Sequence, residues 1–131
     1  MDTDSKYLFI YGTLRQADNE FGAYLRQHSR HYASGYFNGR LFDMGEYPGA
    51  IHIPDSKQKV FGEIMALDNP AKVLRLIDQY EGYGPGERQP YLYVRQIVSV
   101  TTDKGIIDCW VYLYNLPLDG FKEIINGKYQ G

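Results

Sequence analysis

The sequence YLFIYGTLR, residues 7–15, is the most informative segment of the chain. Its first five residues are all apolar or aromatic, which predicts a strand that is buried on both faces. The run breaks at Gly12, where the absent Cβ lets a ligand approach the backbone closely. Amide groups that leave a sheet at such a loop are available to bind an anion. An ordinary strand-to-loop turn is the alternative interpretation of the same residues.

Length and composition predict a single globular domain that spans residues 1–131. The chain has 44% hydrophobic and 23% charged residues, and it is long enough to bury a substantial core. The single Cys109 excludes an internal disulfide and suits a reducing compartment. Neither a basic, apolar leader nor a long apolar run is present, so we expect a cytoplasmic protein with no membrane partner.

Charge and motif content argue against several classes of function. The net charge of −2 provides no basic field for a phosphate backbone, so no nucleic-acid partner is expected. His28, His31 and His52 lack metal-ligand spacing with carboxylates or with Cys109, which argues against a metal site. Phosphate-loop and dinucleotide fingerprints are also absent, and no cofactor is expected. The oligomeric state stays open, and a monomer is compatible with the sequence.

Apolar residues recur at helical spacing in two segments. One is residues 19–28, and the other starts at Asn69-Pro70 and ends near Tyr80. Asparagine suits the N-cap, and proline in the first helical position loses no hydrogen bond. A glycine-rich cluster then ends the second helix. A third, short helix is expected at residues 119–125.

The remaining segments predict strands. Residues 60–67 favour one strand, and residues 91–101 and 106–115 favour a hairpin. Residues 31–53 are rich in aromatic residues and glycine, which favours short, bent strands with a tight turn at residues 47–50.

The second helix carries a carboxylate within its apolar stripe. At about 100° per residue, Glu81 lies on the same face as Ile77, and Asp78 lies at the edge of that face. Desolvation raises the pKa of a glutamate and suits it to proton transfer near neutral pH. We therefore interpret Glu81 as a candidate general acid/base and expect Asp78→Asn to have a milder effect than Glu81→Gln. The alternative is a solvated Glu81, or one paired with Arg88 or Arg95.

Thirteen tyrosines are present, and the last long strand suggests a use for one of them. Alternation places Trp110, Tyr112 and Tyr114 on one face, opposite an aliphatic face that suits the core. Tyr112 is therefore a candidate pocket residue close to Glu81.

Six short motifs are spread along the chain. They are Tyr-Gly-Thr-Leu-Arg at 11–15, Tyr-Pro-Gly at 47–49, Val-Phe-Gly-Glu at 60–63, Leu-Ile-Asp-Gln-Tyr-Glu-Gly at 76–82, Tyr-x-Arg at 93–95 and Trp-Val-Tyr-Leu-Tyr at 110–114. In combination they resemble the gamma-glutamylcyclotransferase-like (AIG2-like) family over nearly the whole chain. The resemblance implies an α+β fold, a small, bent, mixed β-barrel with two flanking helices.

The resemblance also implies an activity and a site. Enzymes of this family cyclise a gamma-glutamyl amide or amine to 5-oxoproline and release the amine, a reaction of transferase or lyase type. Glu81 is then the catalytic acid/base, and the loop that follows the first strand binds the carboxylate end of the substrate. The resemblance places Tyr11, Gly12, Thr13 and Leu14 in that loop. Together with Tyr47 and the pocket candidate Tyr112, they are the expected substrate-binding residues.

This chemistry asks little of the protein. The α-amine of the substrate attacks the γ-carbonyl of the same molecule, so the protein positions the substrate and transfers protons. The reaction needs no metal and no cofactor. The alternative function is that of a non-catalytic protein that binds a small carboxylate on the same fold, and a turnover assay separates the two.

Overall fold

The computed structural model describes residues 5–12, 20–45 and 47–129. Its helices and strands are β1 (Tyr7–Ile10), α1 (Glu20–Gln27), β2 (Ser29–Asp43), β3 (Pro48–His52), β4 (Lys59–Leu67), α2 (Pro70–Glu81), β5 (Tyr93–Thr102), β6 (Gly105–Tyr114) and β7 (Lys122–Glu123). In this described part of the chain, neither helix has the length and apolar character needed to cross a bilayer.

Five strands form a closed barrel. β2 pairs with β4, β4 with β1, β1 with β6 and β6 with β5, and a pairing of β5 with β2 closes the circle. The β1–β6 pair is parallel and the other pairs are antiparallel, so the barrel is mixed. β3 and β7 extend the sheet from β2. With α1 and α2 alongside, this architecture confirms the predicted α+β fold, a small, bent, mixed barrel with two flanking helices.

Two glycines let the barrel close at a narrow crossing. Gly35 on β2 pairs with Gly62 on β4 and with Thr102 on β5. A Cβ on Gly35 would lie 2.4 Å from the Thr101 carbonyl oxygen, and one on Gly62 would lie 2.3 Å from the Ile10 carbonyl oxygen. Both separations are too short for real Cβ atoms, so only glycine permits the strands to approach this closely.

The apolar residues form two cores on opposite sides of the barrel wall. The buried residues of the barrel interior are Phe9, Ala33, Phe37, Leu41, Ala50, Val60, Ile64, Val98, Val100, Cys109, Val111 and Leu113. The buried residues between the outer wall and the helices are Leu8, Leu25, Leu67, Val73, Leu74, Ile77, Tyr93, Tyr112 and Tyr114. The predicted alternation in β6 is therefore confirmed, since its aliphatic side chains belong to the barrel interior and its aromatic side chains to the helix side.

The ends of α2 are fixed by local sequence. The helix begins at Pro70, which has no amide hydrogen but needs none in the first turn. It ends at Glu81 because Gly82 adopts a left-handed φ of +72°. The Tyr83 amide then donates a 2.9 Å hydrogen bond to the Asp78 carbonyl oxygen and closes the last turn. This cap places Glu81 in the last turn of the helix.

The segment 31–53 differs from its predicted pattern of short, bent strands. β2 is a single strand of 15 residues, and it passes through a bulge between His31 and Ala33 without breaking. The tight turn expected at Tyr-Pro-Gly is also wrong, because Pro48 begins β3 and pairs with Asp43. Proline is tolerated in this place because β3 is an edge strand and Pro48 is its first residue.

The closing helix expected at residues 119–125 is wrong as well. This segment forms a turn and the two-residue strand β7, which pairs with the end of β2. Gly120 has a φ of +87°, which a right-handed helix does not allow. Arg40 binds Glu123 through hydrogen bonds of 2.6 and 3.1 Å. Contacts with distant residues therefore override the local helical preference.

We expect Gly35→Ala to lower the free energy of unfolding by about 1–3 kcal/mol, the usual cost of overpacking a core, because the new methyl group would collide with the Thr101 backbone. The neighbouring change Ser34→Ala adds no atom and removes one hydrogen bond to Glu63, so it should cost about 1 kcal/mol or less. Urea denaturation measures both values. Equal stability of the Gly35→Ala variant and the natural protein would contradict the need for glycine at this crossing.

Candidate active site

Residues from three elements meet at one end of the barrel. β1 and β6 run parallel and end on the same side, and the Tyr11 hydroxyl after β1 donates a 2.6 Å hydrogen bond to the Tyr112 carbonyl oxygen on β6. The Tyr112 hydroxyl in turn donates a 2.6 Å hydrogen bond to Asp78 in the last turn of α2. This contact holds the C-terminal end of α2 at the same edge. The fold therefore brings Glu81 together with Tyr11 and Tyr112.

Glu81 is half-buried, at the last position of α2. Within the described residues, its carboxylate takes part in no hydrogen bond or ion pair. Removal from water, together with the negative charge of Asp78, raises the pKa of Glu81 from an ordinary 4.5 to about 7. The possible ion pair with Arg95 does not form, because that guanidinium binds Asp78 instead. Glu81 can thus both accept and donate a proton near neutral pH.

Three tyrosines lie close enough to Glu81 to interact with its charge. Tyr11 comes from the end of β1, Tyr93 from β5 and Tyr112 from β6. Burial raises the pKa of all three phenols, and the charge of Glu81 adds to this in each case. The three rings are therefore neutral near pH 7, and they supply an apolar wall with hydroxyl tips.

A second carboxylate, Asp78, is the centre of a hydrogen-bond network. Arg95 binds both of its oxygens, with Nε at 2.7 Å and an Nη at 3.0 Å, and the Tyr112 hydroxyl is the third donor. The Arg95 guanidinium also lies over the Trp110 ring, 4.3 Å from the ring centroid. The side chains of Asp78 and Arg95 are only 15% and 18% exposed, so this ion pair is shielded from solvent. Bidentate geometry and shielding make it a well-ordered part of the site.

Helical periodicity predicted Asp78 at the edge of the helix face but did not predict its hydrogen-bond network. The Tyr-x-Arg motif at 93–95 is the sequence feature that could have indicated the Arg95 partner. Strand alternation puts Tyr93 and Arg95 on the same face of β5, and that face looks towards α2. Asp78→Asn is consequently a change within the site, and it cannot serve as a mild control.

The absence of a side chain at Gly12 has a packing role that the sequence alone does not reveal. A Cβ on Gly12 would lie 2.9 Å from Cγ of Pro48. The missing side chain therefore makes room for the proline ring at the start of β3. The Pro48 carbonyl oxygen accepts a 2.6 Å hydrogen bond from the Tyr93 hydroxyl, which ties β3 to the tyrosine cluster.

The remaining residues that the sequence predicted for substrate binding are Tyr47, before β3, and Thr13 and Leu14, after β1. Tyr47 is 44% exposed and packs edge-on against Tyr93, with ring centroids 6.2 Å apart, so it lies at the rim of the cluster. Thr13 and Leu14 lie outside the described residues. Of the six expected substrate-binding residues, the structure therefore places Tyr11, Gly12, Tyr47 and Tyr112 near one another.

The carboxyl groups of the site suit proton transfer. Among residues 5–12, 20–45 and 47–129, no three His, Cys, Asp or Glu side chains are arranged to hold a metal ion. Glu81 and Asp78 are the two carboxylates of the site, and Asp78 is occupied by Arg95. Among the described residues, Glu81 is then the carboxyl group of the site without a hydrogen-bond or ion-pair partner, and its pKa is raised to about 7.

Comparison with known proteins identifies similar chains. The family model for gamma-glutamyl cyclotransferase, AIG2-like, matches residues 8–131. The gamma-glutamylcyclotransferase family protein YtfP of Escherichia coli K12 is 31% identical over 130 residues, which cover 93% of this chain and 94% of YtfP. The gamma-L-glutamyl-butirosin B gamma-glutamyl cyclotransferase of Niallia circulans is 33% identical over 110 residues, which cover 82% of this chain and 66% of that enzyme.

Solved structures show the same fold. The solution NMR structure of ytfP from Escherichia coli matches with a TM-score of 0.69 at 27% identity, over 94% of this chain and 95% of that one. The crystal structure of a mouse AIG2-like protein matches with a TM-score of 0.71 at 24% identity, over 95% of this chain and 88% of that one. The second likeness concerns the fold alone.

Titration of Glu81 should be visible in stability. Its pKa is higher in the folded protein than the ordinary 4.5, so its stabilising contribution is complete below pH 4.5 and is lost as the pH rises through about 7. Between pH 5 and pH 8, we therefore expect Glu81→Gln to gain about 2 kcal/mol of stability relative to the natural protein, a value reduced from full linkage because Glu81 is only half-buried. Urea unfolding at both pH values measures this difference. The exposed change Glu20→Gln is the matched control, and a Glu81→Gln difference that does not depend on pH would refute the raised pKa.

Proposed function

We propose a reaction for this chain, which belongs to the gamma-glutamyl cyclotransferase, AIG2-like family. The protein cyclises a gamma-glutamyl amide or amine to 5-oxoproline and releases the amine. Family membership supports an enzyme in general. The substrate class and the role of Glu81 as general acid/base are the proposed parts.

One observation carries the proposal. Glu81 is a half-buried carboxylate with a pKa of about 7, raised by loss of solvation and by Asp78, and no described residue occupies it with a hydrogen bond or an ion pair. A structural carboxylate would be expected to have a partner, as Asp78 does. An unoccupied carboxyl group that titrates near neutral pH suits general acid/base catalysis.

The proposed reaction needs two proton movements at Glu81. The α-ammonium of the substrate first loses a proton to the Glu81 carboxylate, and the free amine attacks the γ-carbonyl carbon. The new C–N bond closes a five-membered ring as the bond to the leaving nitrogen breaks. The attacking nitrogen gives up two protons in all and the leaving nitrogen gains two, so Glu81 can transfer both and return to its starting state. No co-reactant is consumed.

The substrate would bind between the tyrosines and the loop after β1. Backbone amides at Gly12, Thr13 and Leu14 are proposed to hold the α-carboxylate, because a loop amide can bind an anion without a basic side chain. Tyr11 and Tyr112 would contact the substrate beside Glu81, and Tyr47 would contact it at the rim of the tyrosine cluster. A folded substrate brings its amine close to its own γ-carbonyl, and this positioning supplies much of the rate enhancement.

Glu81→Gln is expected to reduce turnover by at least about a hundredfold, the contribution typical of a general acid/base, while leaving ligand binding largely intact. The assay follows 5-oxoproline release from a panel of gamma-glutamyl amino acids and gamma-glutamylamines, with Glu20→Gln as the control. In the natural protein, kcat/KM should rise with pH and level off above about pH 7, because the ionised Glu81 is the active form. Near-natural turnover by Glu81→Gln would eliminate Glu81 as the acid/base. Tight binding of 5-oxoproline without turnover of any compound would favour a non-catalytic carboxylate-binding protein.

The loop after β1 is tested by binding. Gly12→Ala should weaken 5-oxoproline binding in calorimetry, but its new Cβ would also press on Pro48. The double variant Gly12→Ala, Pro48→Ala removes that clash, and it should still bind weakly if the Cβ crowds the ligand. Full recovery of affinity in the double variant would show that Gly12 serves only the packing of β3. Arg15→Ala should change the affinity less, and a loss of affinity confined to Arg15→Ala would indicate a charged clamp in place of the backbone amides.

A further inference from the structure

The Asp78 network lies directly beside the proposed acid/base, one helical turn before it. Residues three apart on a helix have Cβ atoms about 5–6 Å from one another, so the side chains of Asp78 and Glu81 project from neighbouring positions on α2. Asp78 also caps the helix through its carbonyl oxygen, which accepts the Tyr83 amide. The same residue therefore contacts the end of the helix and the barrel wall.

We propose that Asp78 is a positioning residue for Glu81: held by Arg95 and Tyr112, it fixes the last turn of α2 against the barrel and places a negative charge beside the acid/base. This inference rests on the proposed function of Glu81. It assigns a task to Asp78 and Arg95, which the proposed reaction does not use, and a second task to Tyr112.

The donors that hold Asp78 come from the barrel wall. Arg95 and Tyr112 lie on adjacent strands and are direct register partners, so they present their donors to Asp78 from a rigid surface. Three hydrogen bonds of 2.6–3.0 Å fix the Asp78 carboxylate. Packing over Trp110 holds the guanidinium itself. A helix end attached in this way gives the Glu81 side chain a fixed origin.

Asp78 also acts on Glu81 through its charge. The titratable groups that interact with Glu81 in the described structure are Tyr11 just after β1, Tyr93 on β5, Tyr112 on β6 and Asp78 on its own helix. The three phenols stay neutral near pH 7, so Asp78 is the charged member of this group. Arg95 is directed at Asp78, and its positive charge offsets the Asp78 charge only in part. A nearby like charge makes a carboxylate hold its proton to higher pH.

The arrangement gives the two carboxylates different tasks. Asp78 has its donors and remains an ion-pair partner, whereas Glu81 has none among the described residues and is proposed to exchange protons. Two neighbouring carboxyl groups with environments this different are typical of sites in which one group reacts and the other sets its proton affinity.

Asp78→Asn tests the inference through the titration of Glu81. The Glu81 carboxyl carbon is followed by NMR against pH, and its signal is assigned by its absence from Glu81→Gln. The midpoint should fall by about one pH unit in Asp78→Asn, a typical effect of removing a neighbouring like charge, and the midpoint of the kcat/KM profile should fall equally. Asp68→Asn is the matched control, because Asp68 pairs with His28 just before the opposite end of α2. It should leave both midpoints unchanged.

A double variant covers the case in which Asp78→Asn fails to fold with Arg95 unpaired. Asp78→Asn combined with Arg95→Gln removes both charges of the pair. Loss of the positive charge alone can only raise the Glu81 midpoint, so a lower midpoint in the double variant must come from loss of the Asp78 charge.

The outcomes separate this inference from the proposed function. An unchanged Glu81 midpoint in folded Asp78→Asn overturns the inference, even if Glu81-dependent turnover is found. In the double variant, a midpoint no lower than that of Arg95→Gln alone overturns it. A lowered midpoint supports the inference. A lowered midpoint in a protein that turns over no gamma-glutamyl compound overturns the proposed function and leaves the coupling of the two carboxylates in place.

Discussion

Packing of α2 against the outer wall of the barrel is the constraint on which the candidate site depends. The apolar face of the helix, with Val73, Leu74 and Ile77, must be buried, and the wall formed by β1, β5 and β6 offers the complementary surface. The residues that continue this face towards the helix end are polar, and they reach the same wall where strands β1 and β6 end. Burial of the helix therefore carries Glu81 into a partly dry environment, although burial of a carboxylate is unfavourable in itself. The raised pKa of Glu81 therefore follows from a packing requirement met elsewhere in the helix.

Local patterns predicted the parts of the fold that depend on neighbouring residues. The Asn69-Pro70 pair predicted the start of α2, and helical spacing predicted its end to within one residue. Strand alternation separated the two faces of β6. The place of Glu81 in the apolar stripe followed from the same periodicity. The resemblance to a known family supplied the barrel, because nothing in the local pattern indicates that β5 pairs with β2 to close it.

The features that the sequence did not predict depend on contacts between distant residues. Arg95 lies 17 residues from Asp78, and Tyr112 lies 34 residues from it, so no local pattern indicates that they share a carboxylate. Gly12 likewise meets Pro48 only when β3 is in place. The segment 119–125 has a helical pattern, yet the ion pair of Glu123 with Arg40 and the pairing of β7 with β2 give it another structure. In each case a tertiary contact outweighs a preference of a few tenths of a kcal/mol per residue, which is the scale of intrinsic propensity.

The two carboxylates at the end of α2 show how stability and reactivity are divided within one helical turn. Asp78 receives three hydrogen bonds and attaches the helix to the barrel, so it contributes to order at the site. Glu81 receives none from the described residues, and the folded protein is less stable when it is ionised. If Glu81 were also bound by an arginine, its pKa would fall and it would no longer exchange protons near pH 7. The ion pair between Arg95 and Asp78 therefore has two consequences. It attaches the helix end to the barrel, and it keeps Arg95 from pairing with Glu81 and lowering the pKa of Glu81.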